Sequence, residues 1–470
     1  MNEKILLKKL LLLLLVGFAF QSNAQDTKTT FNNAYKRFAA DSSFKHATIS
    51  LQVINNKTGQ AITSVNAETG LAPASCQKVI TASTSFELLG ENYTYKTSLG
   101  YTGKIENGVL NGDIIIKGSG DPTLGSWRYD NTNEENIISE LKNALSRQGI
   151  NEITGHVYTD ESIWKGEVIP DGWIWEDIGN YYGAGARALN WRENQYDVFL
   201  KSGNNIGDTI DIVDTKPAFV YGLDFKVMAV AAEKGSGDNS YIYIPSYNRY
   251  SYIRGTIPVN EKHFGVSGSM PQPAKQLAIT LEAALKSAPV ENIAVISSPS
   301  PVNNNSVHYF YFHQSPKLDS IIYWFLQRSI NLYGESLIKT LAYELIKTGA
   351  TDSGVNIIKN FWKNKGIEPS AMNIIDGSGL SPANRVTTSA LVSVMQYAKK
   401  QPWYPAFYEA LPTINGIKMK SGSISDVVSY TGYIKNKNGV DYTFSFIINN
   451  YDGHANDIRK KMWKLLDLLK

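Results

Sequence analysis

Ala74-Ser75-Cys76-Gln77-Lys78 sets a hydroxyl and an amine three residues apart, at the head of an apolar run from Val79 to Leu89. Pro73 before it and Gly90 after it bracket a predicted helix of about four turns. On such a helix the Ser75 and Lys78 side chains stand on one face. A serine hydroxyl is a weak nucleophile until a base takes its proton. A lysine is that base only when kept neutral, by burial or by a second cation nearby. The positive helix N-terminus favours negative charge on the attacking oxygen. Alone, Ser-x-x-Lys at a helix start is far more often a cap beside a solvated lysine, so the rest of the chain has to support it.

Two further groups follow in order: Ser329-x-Asn331 in a predicted helical region, and Lys420-Ser421-Gly422 on a predicted strand. Each tripeptide is common by itself. The ordered trio resembles the three motifs of penicillin-binding proteins and serine β-lactamases. In that scheme Ser329 relays a proton, and Asn331 holds Lys78 and the substrate backbone. Lys420 places a positive charge near Lys78 and a substrate carboxylate, and the Ser421 hydroxyl binds that carboxylate. Gly422 admits the substrate against the strand, and the amide of Ser423 joins that of Ser75 as an oxyanion hole.

The resemblance narrows with Gly118-Ser119-Gly120-Asp121-Pro122-Thr123-Leu124, Tyr182-Gly183-Ala184, Asn331-Leu332-Tyr333-Gly334-Glu335, Asp376-Gly377-Ser378-Gly379-Leu380-Ser381 and Asn384-Arg385-Val386. Together these are similar to signatures of the D-alanyl-D-alanine carboxypeptidase/endopeptidase family, the class C low-molecular-mass penicillin-binding proteins. The likeness runs from about Phe31 to the C-terminus and is weakest between Gly166 and Arg254. It implies a serine DD-peptidase that removes terminal D-Ala and cuts D-Ala cross-links in peptidoglycan stem peptides. It also implies covalent inhibition by β-lactams, and neither metal nor organic cofactor. Two positions depart from the family pattern: Ser421 stands where threonine is usual, and Ile330 where aspartate is common.

The elements that must position these residues can be read along the chain. Phe31 to Ala40 has helical spacing; Thr48–Ile54 alternates as a strand, and Ala61–Val65 returns it as a hairpin. Short strands and turns follow from Thr94, among them Tyr196–Leu200 and Tyr241–Ile244, with helices at Asn133–Gln148 and Gln276–Lys286. From Leu318 helices dominate. Strands Gly416–Ile424, Val428–Lys435 and Asp441–Asn449 and a helix Asn456–Leu469 end the chain. The expected fold is α+β: a β-lactamase/transpeptidase-like catalytic domain, an antiparallel sheet with helices on both sides. The resemblance implies that two nested, mostly β accessory domains interrupt it, and the 254 residues between Ser75 and Ser329 leave room for both. The expected limits are 26–93 with 306–470 for the catalytic domain, 94–165 with 255–305 for accessory domain II, and 166–254 for accessory domain III.

Length and address agree. At 470 residues the chain exceeds one core. Lys4, Lys8 and Lys9 precede an apolar run from Leu10 to Phe20 that ends in Ser22-Asn23-Ala24, which reads as a signal peptide over residues 1–24. Its removal leaves a net charge of +1, which argues against a nucleic-acid partner. No later run is long enough to span a bilayer, so no transmembrane anchor is expected after signal cleavage and the expected address is the periplasm. Cys76 is the single cysteine, so no internal disulfide forms. The six histidines are scattered without metal-ligand spacing, and no metal site is expected. Two rivals stand beside the peptidase reading. One is a β-lactamase or esterase on the same fold, disfavoured by the long insertion. The other is a non-catalytic wall-binding protein, disfavoured by retention of Ser75, Lys78, Ser329, Asn331 and Lys420 together.

Overall fold

Alternation of side chains along Asp441–Asn449 dictates a strand with two unlike faces. Tyr442, Phe444, Phe446 and Ile448 enter one apolar core, while Thr443 and Ser445 point the other way and are equally buried. A strand buried on both faces needs cover on both, and the computed structural model supplies it. The structure describes residues 27–245, 249–287 and 306–470; the signal-peptide segment and its cleavage site lie outside the described residues.

The chain groups into two units. The first comprises the chain up to Ile80, Trp362–Asn373 and Asn384–Lys470. Its centre is a six-stranded sheet in the order Thr413–Ile414, Ile417–Ile424, Val427–Lys435, Asp441–Asn449, Thr48–Asn55 and Ala61–Val65. Every neighbouring pair is antiparallel. On one face Phe31 from the helix over residues 27–39 and Ile458, Met462 and Leu465 from the helix Ala455–Leu466 join Leu51, Val53 and Phe446. Burying each such side chain contributes about 1.5–3 kcal/mol. On the other face the helix Thr388–Ala398 packs on Asp441–Asn449 and Thr48–Asn55, and Thr388 Oγ1 meets Ser50 Oγ at 2.8 Å. The last hairpin closes as its Asn438-Gly439 pair requires: Gly439 has φ +78°, and the Asn436 side chain accepts from the amides of Asn438 and Val440.

The second unit comprises Thr81–Phe361 and Ile374–Ala383. It holds a sheet ordered His308–Gln314, Lys96–Tyr101, Ile114–Lys117 and Val157–Asp160, with its last pair parallel. The helices Glu134–Arg147 and Pro273–Lys286 pack on each other beside it. Further sheets are built from Ile210–Lys216, Gln195–Ser202 and Phe264–Ser269, and around Ser251–Pro258. One continuous core, from Leu99 and Ile116 through Trp191 and Val198 to Ile253 and Leu277, serves all of these elements. The helices Leu318–Gln327 and Asn331–Ile346 belong to this unit too. The fold class is α+β.

Candidate active site

The Pro73–Gly90 stretch is not one α-helix. Ala74–Gln77 forms a 3₁₀ turn and the α-helix runs Lys78–Leu89. In a 3₁₀ turn, side chains three apart eclipse rather than merely share a face. Lys78 Nζ accordingly donates to Ser75 Oγ at 2.9 Å. Ala74, wholly buried, adopts a left-handed φ of +45°, a conformation costing an L-residue roughly 1–2 kcal/mol. That strained residue sits immediately before Ser75.

The strand Ile417–Ile424 carries the third motif in the same unit. Its neighbour Val427–Lys435 sets the register, pairing Lys420 with Thr431, Ser421 with Tyr430, Gly422 with Ser429 and Ser423 with Val428. Gly422 has no room for a side chain: a Cβ there would lie 2.7 Å from Pro73 O and 2.8 Å from the Ser75 amide nitrogen. The glycine therefore lets the strand press against the turn that carries Ser75, which Ser429 Oγ ties down by donating to Pro73 O at 2.6 Å. Cys76 Sγ donates to Lys420 O at 3.3 Å. Burial raises the Cys76 thiol to about 11, so it is a packed, protonated thiol. Lys420, 1 % exposed, donates to Ser421 O at 2.6 Å, and burial lowers its amine to about 8. Ser423 Oγ accepts from Arg459 Nη2 of the C-terminal helix at 3.1 Å.

In the second unit, Ser329 does not lie in a helix. It occupies the turn between Leu318–Gln327 and Asn331–Ile346, with a left-handed φ of +56°. Asn331 opens the second helix, and its Nδ2 donates to Tyr182 O at 2.8 Å. The other signature residues brace this helix. Gly334 and Gly377 pass backbone to backbone, and a Cβ on Gly377 would lie 2.2 Å from Gly334 O. Glu335, wholly buried, accepts the Gly377 amide with both carboxylate oxygens at 3.0 and 3.1 Å. Asp376 in turn accepts from the amides of Gly379 and Ser381 and from Trp173 Nε1. Tyr333 donates to Glu193 at 2.8 Å.

The structure thus brings Ser75, Lys78, Lys420, Ser421, Gly422 and Ser423 together in the first unit, and holds Ser329 and Asn331 at the head of one helix in the second. Sequence reasoning missed Ser429, Arg459 and Glu193. Each acts through a contact with a segment far along the chain, and no local pattern marks it. Glu335 falls within a signature segment, and its buried carboxylate accepts the Gly377 amide. Among the described residues no group of three or more His, Cys, Asp or Glu side chains is arranged to hold a metal ion.

Comparison with known proteins agrees with this geometry. The model of the D-Ala-D-Ala carboxypeptidase 3 (S13) family matches residues 32–469. The chain is similar to the D-alanyl-D-alanine carboxypeptidase DacB of Haemophilus influenzae, 26 % identical over 419 residues and covering 84 % of each chain. It is also similar to a D-alanyl-D-alanine carboxypeptidase of an Actinomadura species, 24 % identical over 449 residues, 88 % of this chain and 80 % of that one. The crystal structure of penicillin binding protein 4 from H. influenzae superposes with a TM-score of 0.74 at 23 % identity, over 90 % of this chain and 95 % of that one, and so shares the fold. With Lys78 hydrogen-bonded to Ser75 and a family match that spans residues 32–469, the chain belongs to the D-Ala-D-Ala carboxypeptidase 3 (S13) family of serine DD-peptidases.

Proposed function

We propose that Ser75 is the nucleophile and Lys78 its general base in removing the terminal D-alanine of peptidoglycan stem peptides. The observation that carries this is the 2.9 Å contact between Lys78 Nζ and Ser75 Oγ, with Lys78 wholly buried. Lys78 takes the Ser75 proton as Oγ attacks the carbonyl of the penultimate D-alanine. The amides of Ser75 and Ser423 stabilise the oxyanion, and Gly422 leaves the strand edge open to the substrate. The proton passes to the departing D-alanine amine, the step in which the family resemblance assigns Ser329 and Asn331 their roles. Water then cleaves the Ser75 ester by the same route in reverse. Lys420 and the Ser421 hydroxyl bind the substrate's terminal carboxylate. No metal or organic cofactor takes part.

The same nucleophile serves cross-link cleavage, since that bond also follows a D-alanine, and it captures β-lactams as a stable ester. The solved H. influenzae protein has been seen with a β-lactam bound, which supports extending that chemistry to a chain of the same fold. The reading places the mature protein in the periplasm. It assigns residues 26–93 and 306–470 to the catalytic domain, with 94–165 plus 255–305 and 166–254 as nested accessory domains. Among the described residues no helix is long and apolar enough to cross a membrane.

Ser75→Ala should abolish both D-Ala release from a D-Ala-D-Ala peptide and the mass increment left by penicillin on the intact protein. Retained release in that variant, or release abolished by a chelator, would overturn the scheme.

A further inference from the structure

A pocket of about 480 Å³ opens in the second unit, apart from the residues assigned above. Ligand sites for small molecules generally have volumes of roughly 300–1,000 Å³. One wall carries Trp127, 48 % exposed, whose indole is steadied by the Arg128 guanidinium 5.5 Å from its centre. Arg128 lies at the same distance from Trp324, so the two indoles clamp it. Other lining residues are planar and polar: Arg192, Gln195 and Asp197. Gln195 Nε2 donates to Asp197 Oδ1 at 3.0 Å, and Ser267 Oγ donates to the same oxygen, so that carboxylate is held in place.

Arg192 is the least ordinary of these. Its side chain is 5 % exposed and pairs with Glu134, and its Nε, closed off from solvent, has no hydrogen-bond partner among the described residues. The backbone that puts it there is strained as well. Arg192, Glu193 and Asn194 take left-handed φ values of 56°, 53° and 50° in succession. This turn sends Arg192 to the pocket and Glu193 to Ser126, Arg128 and Tyr333. One strained turn therefore serves both the pocket and the helix that begins at Asn331.

The chemistry selects a ligand class. Arg192 and Glu134 pair with each other, and the remaining charged lining residues, Glu135, Asp197 and Lys216, are of mixed sign, so the pocket offers no concentrated charge for a compact ion. A sugar ring offers an apolar C–H face for an open indole and a rim of hydroxyl and amide groups for Arg, Gln and Asp side chains. We infer that this pocket binds the glycan strand of peptidoglycan, with an N-acetylated hexosamine stacked on Trp127 and hydrogen-bonded to Arg192, Gln195 and Asp197. This rests on the peptidase reading above, because that polymer carries its stem peptides on such sugars.

The test is calorimetric titration of the full chain, as Ser75→Ala, with the tetramer of N-acetylglucosamine. Binding is expected. Trp127→Ala should weaken it by about tenfold, a loss of about 1.4 kcal/mol, whereas Trp127→Phe should stay within about threefold. Asp197→Ala is a second, independent variant with the same expected direction. With Ser75 restored, Trp127→Ala should release D-alanine from a short sugar-free peptide at an unchanged rate but act more slowly on insoluble peptidoglycan. No binding of the tetramer, or binding unchanged by both Trp127→Ala and Asp197→Ala, overturns the inference. Displacement of the tetramer by a sugar-free stem peptide also overturns it and assigns the pocket to peptide. If the unmodified chain releases no D-alanine from soluble peptide, the peptidase reading fails, and the titration still decides the pocket.

Discussion

At the scale of single residues, Lys420 shows how burial and function pull against each other. Its amine sits near 8 because burial disfavours the charged form, against an ordinary value of 10.5. Between those two values the unfolded chain binds more protons than the native one, so stability rises with pH across that window. Below about 8 the whole cost of a buried cation is present. Replacing Lys420 with methionine should therefore stabilise the fold at pH 7, by an amount on the order of 1–3 kcal/mol, measured by urea unfolding. The same variant should lose D-Ala release, because a carboxylate-terminated substrate loses its cation. In the unmodified enzyme kcat/KM for such a substrate should fall as pH rises through about 8, where Lys420 loses its proton. A flat profile up to pH 10 would remove Lys420 from carboxylate recognition.

At the scale of elements, the two motif-bearing segments are each held by a close backbone approach. Gly422 lets the strand Ile417–Ile424 lie against Pro73 and Ser75. Gly422→Ala should displace the nucleophile turn by a few tenths of an ångström or more. Misplacement on that scale should cost roughly tenfold in acylation by a reporter penicillin, approaching a hundredfold if the shift reaches about 1 Å, while the melting temperature drops by only a few degrees. An acylation rate within twofold of the parent would mean that the strand does not position Ser75. Glu335 performs the corresponding task on the helix Asn331–Ile346. Glu335→Ala leaves the buried Gly377 amide without its acceptor, and a stability loss of about 1–3 kcal/mol is expected in chemical denaturation.

At the scale of the whole molecule, the question is which substrates reach the site. Trimming a terminal D-alanine and cutting a cross-link need the same nucleophile and oxyanion donors, and differ in the bulk of the leaving peptide. Digestion of purified peptidoglycan, with monomeric and dimeric muropeptides resolved by chromatography and mass, should show both loss of D-alanine and conversion of dimers to monomers. Dimers left intact while D-alanine is released would restrict the enzyme to trimming.

Much of this was legible before any coordinate. Strands such as Ala61–Val65 and Asp441–Asn449 fall where alternation puts them, because successive side chains point to opposite faces and one of those faces meets the apolar core. The three motifs were legible because each packs its chemistry into a tripeptide or a four-residue span, and the signature segments identified the family. What folding in three dimensions decided has long loops between its partners. The 3₁₀ turn at Ser75 packs against Gly422 and is tied by Ser429 to Pro73, both more than 300 residues away. The left-handed turn at Ser329, the Asn331–Tyr182 hydrogen bond and the Glu335–Gly377 contact likewise arise from packing between distant segments. Local spacing reports the periodicity of one element, whereas strain and burial are set by whatever that element packs against. That is why Ser75 and Lys78 could be named from the chain alone, while the amine of Lys420 near 8 and the strained turn from Arg192 to Asn194 could not.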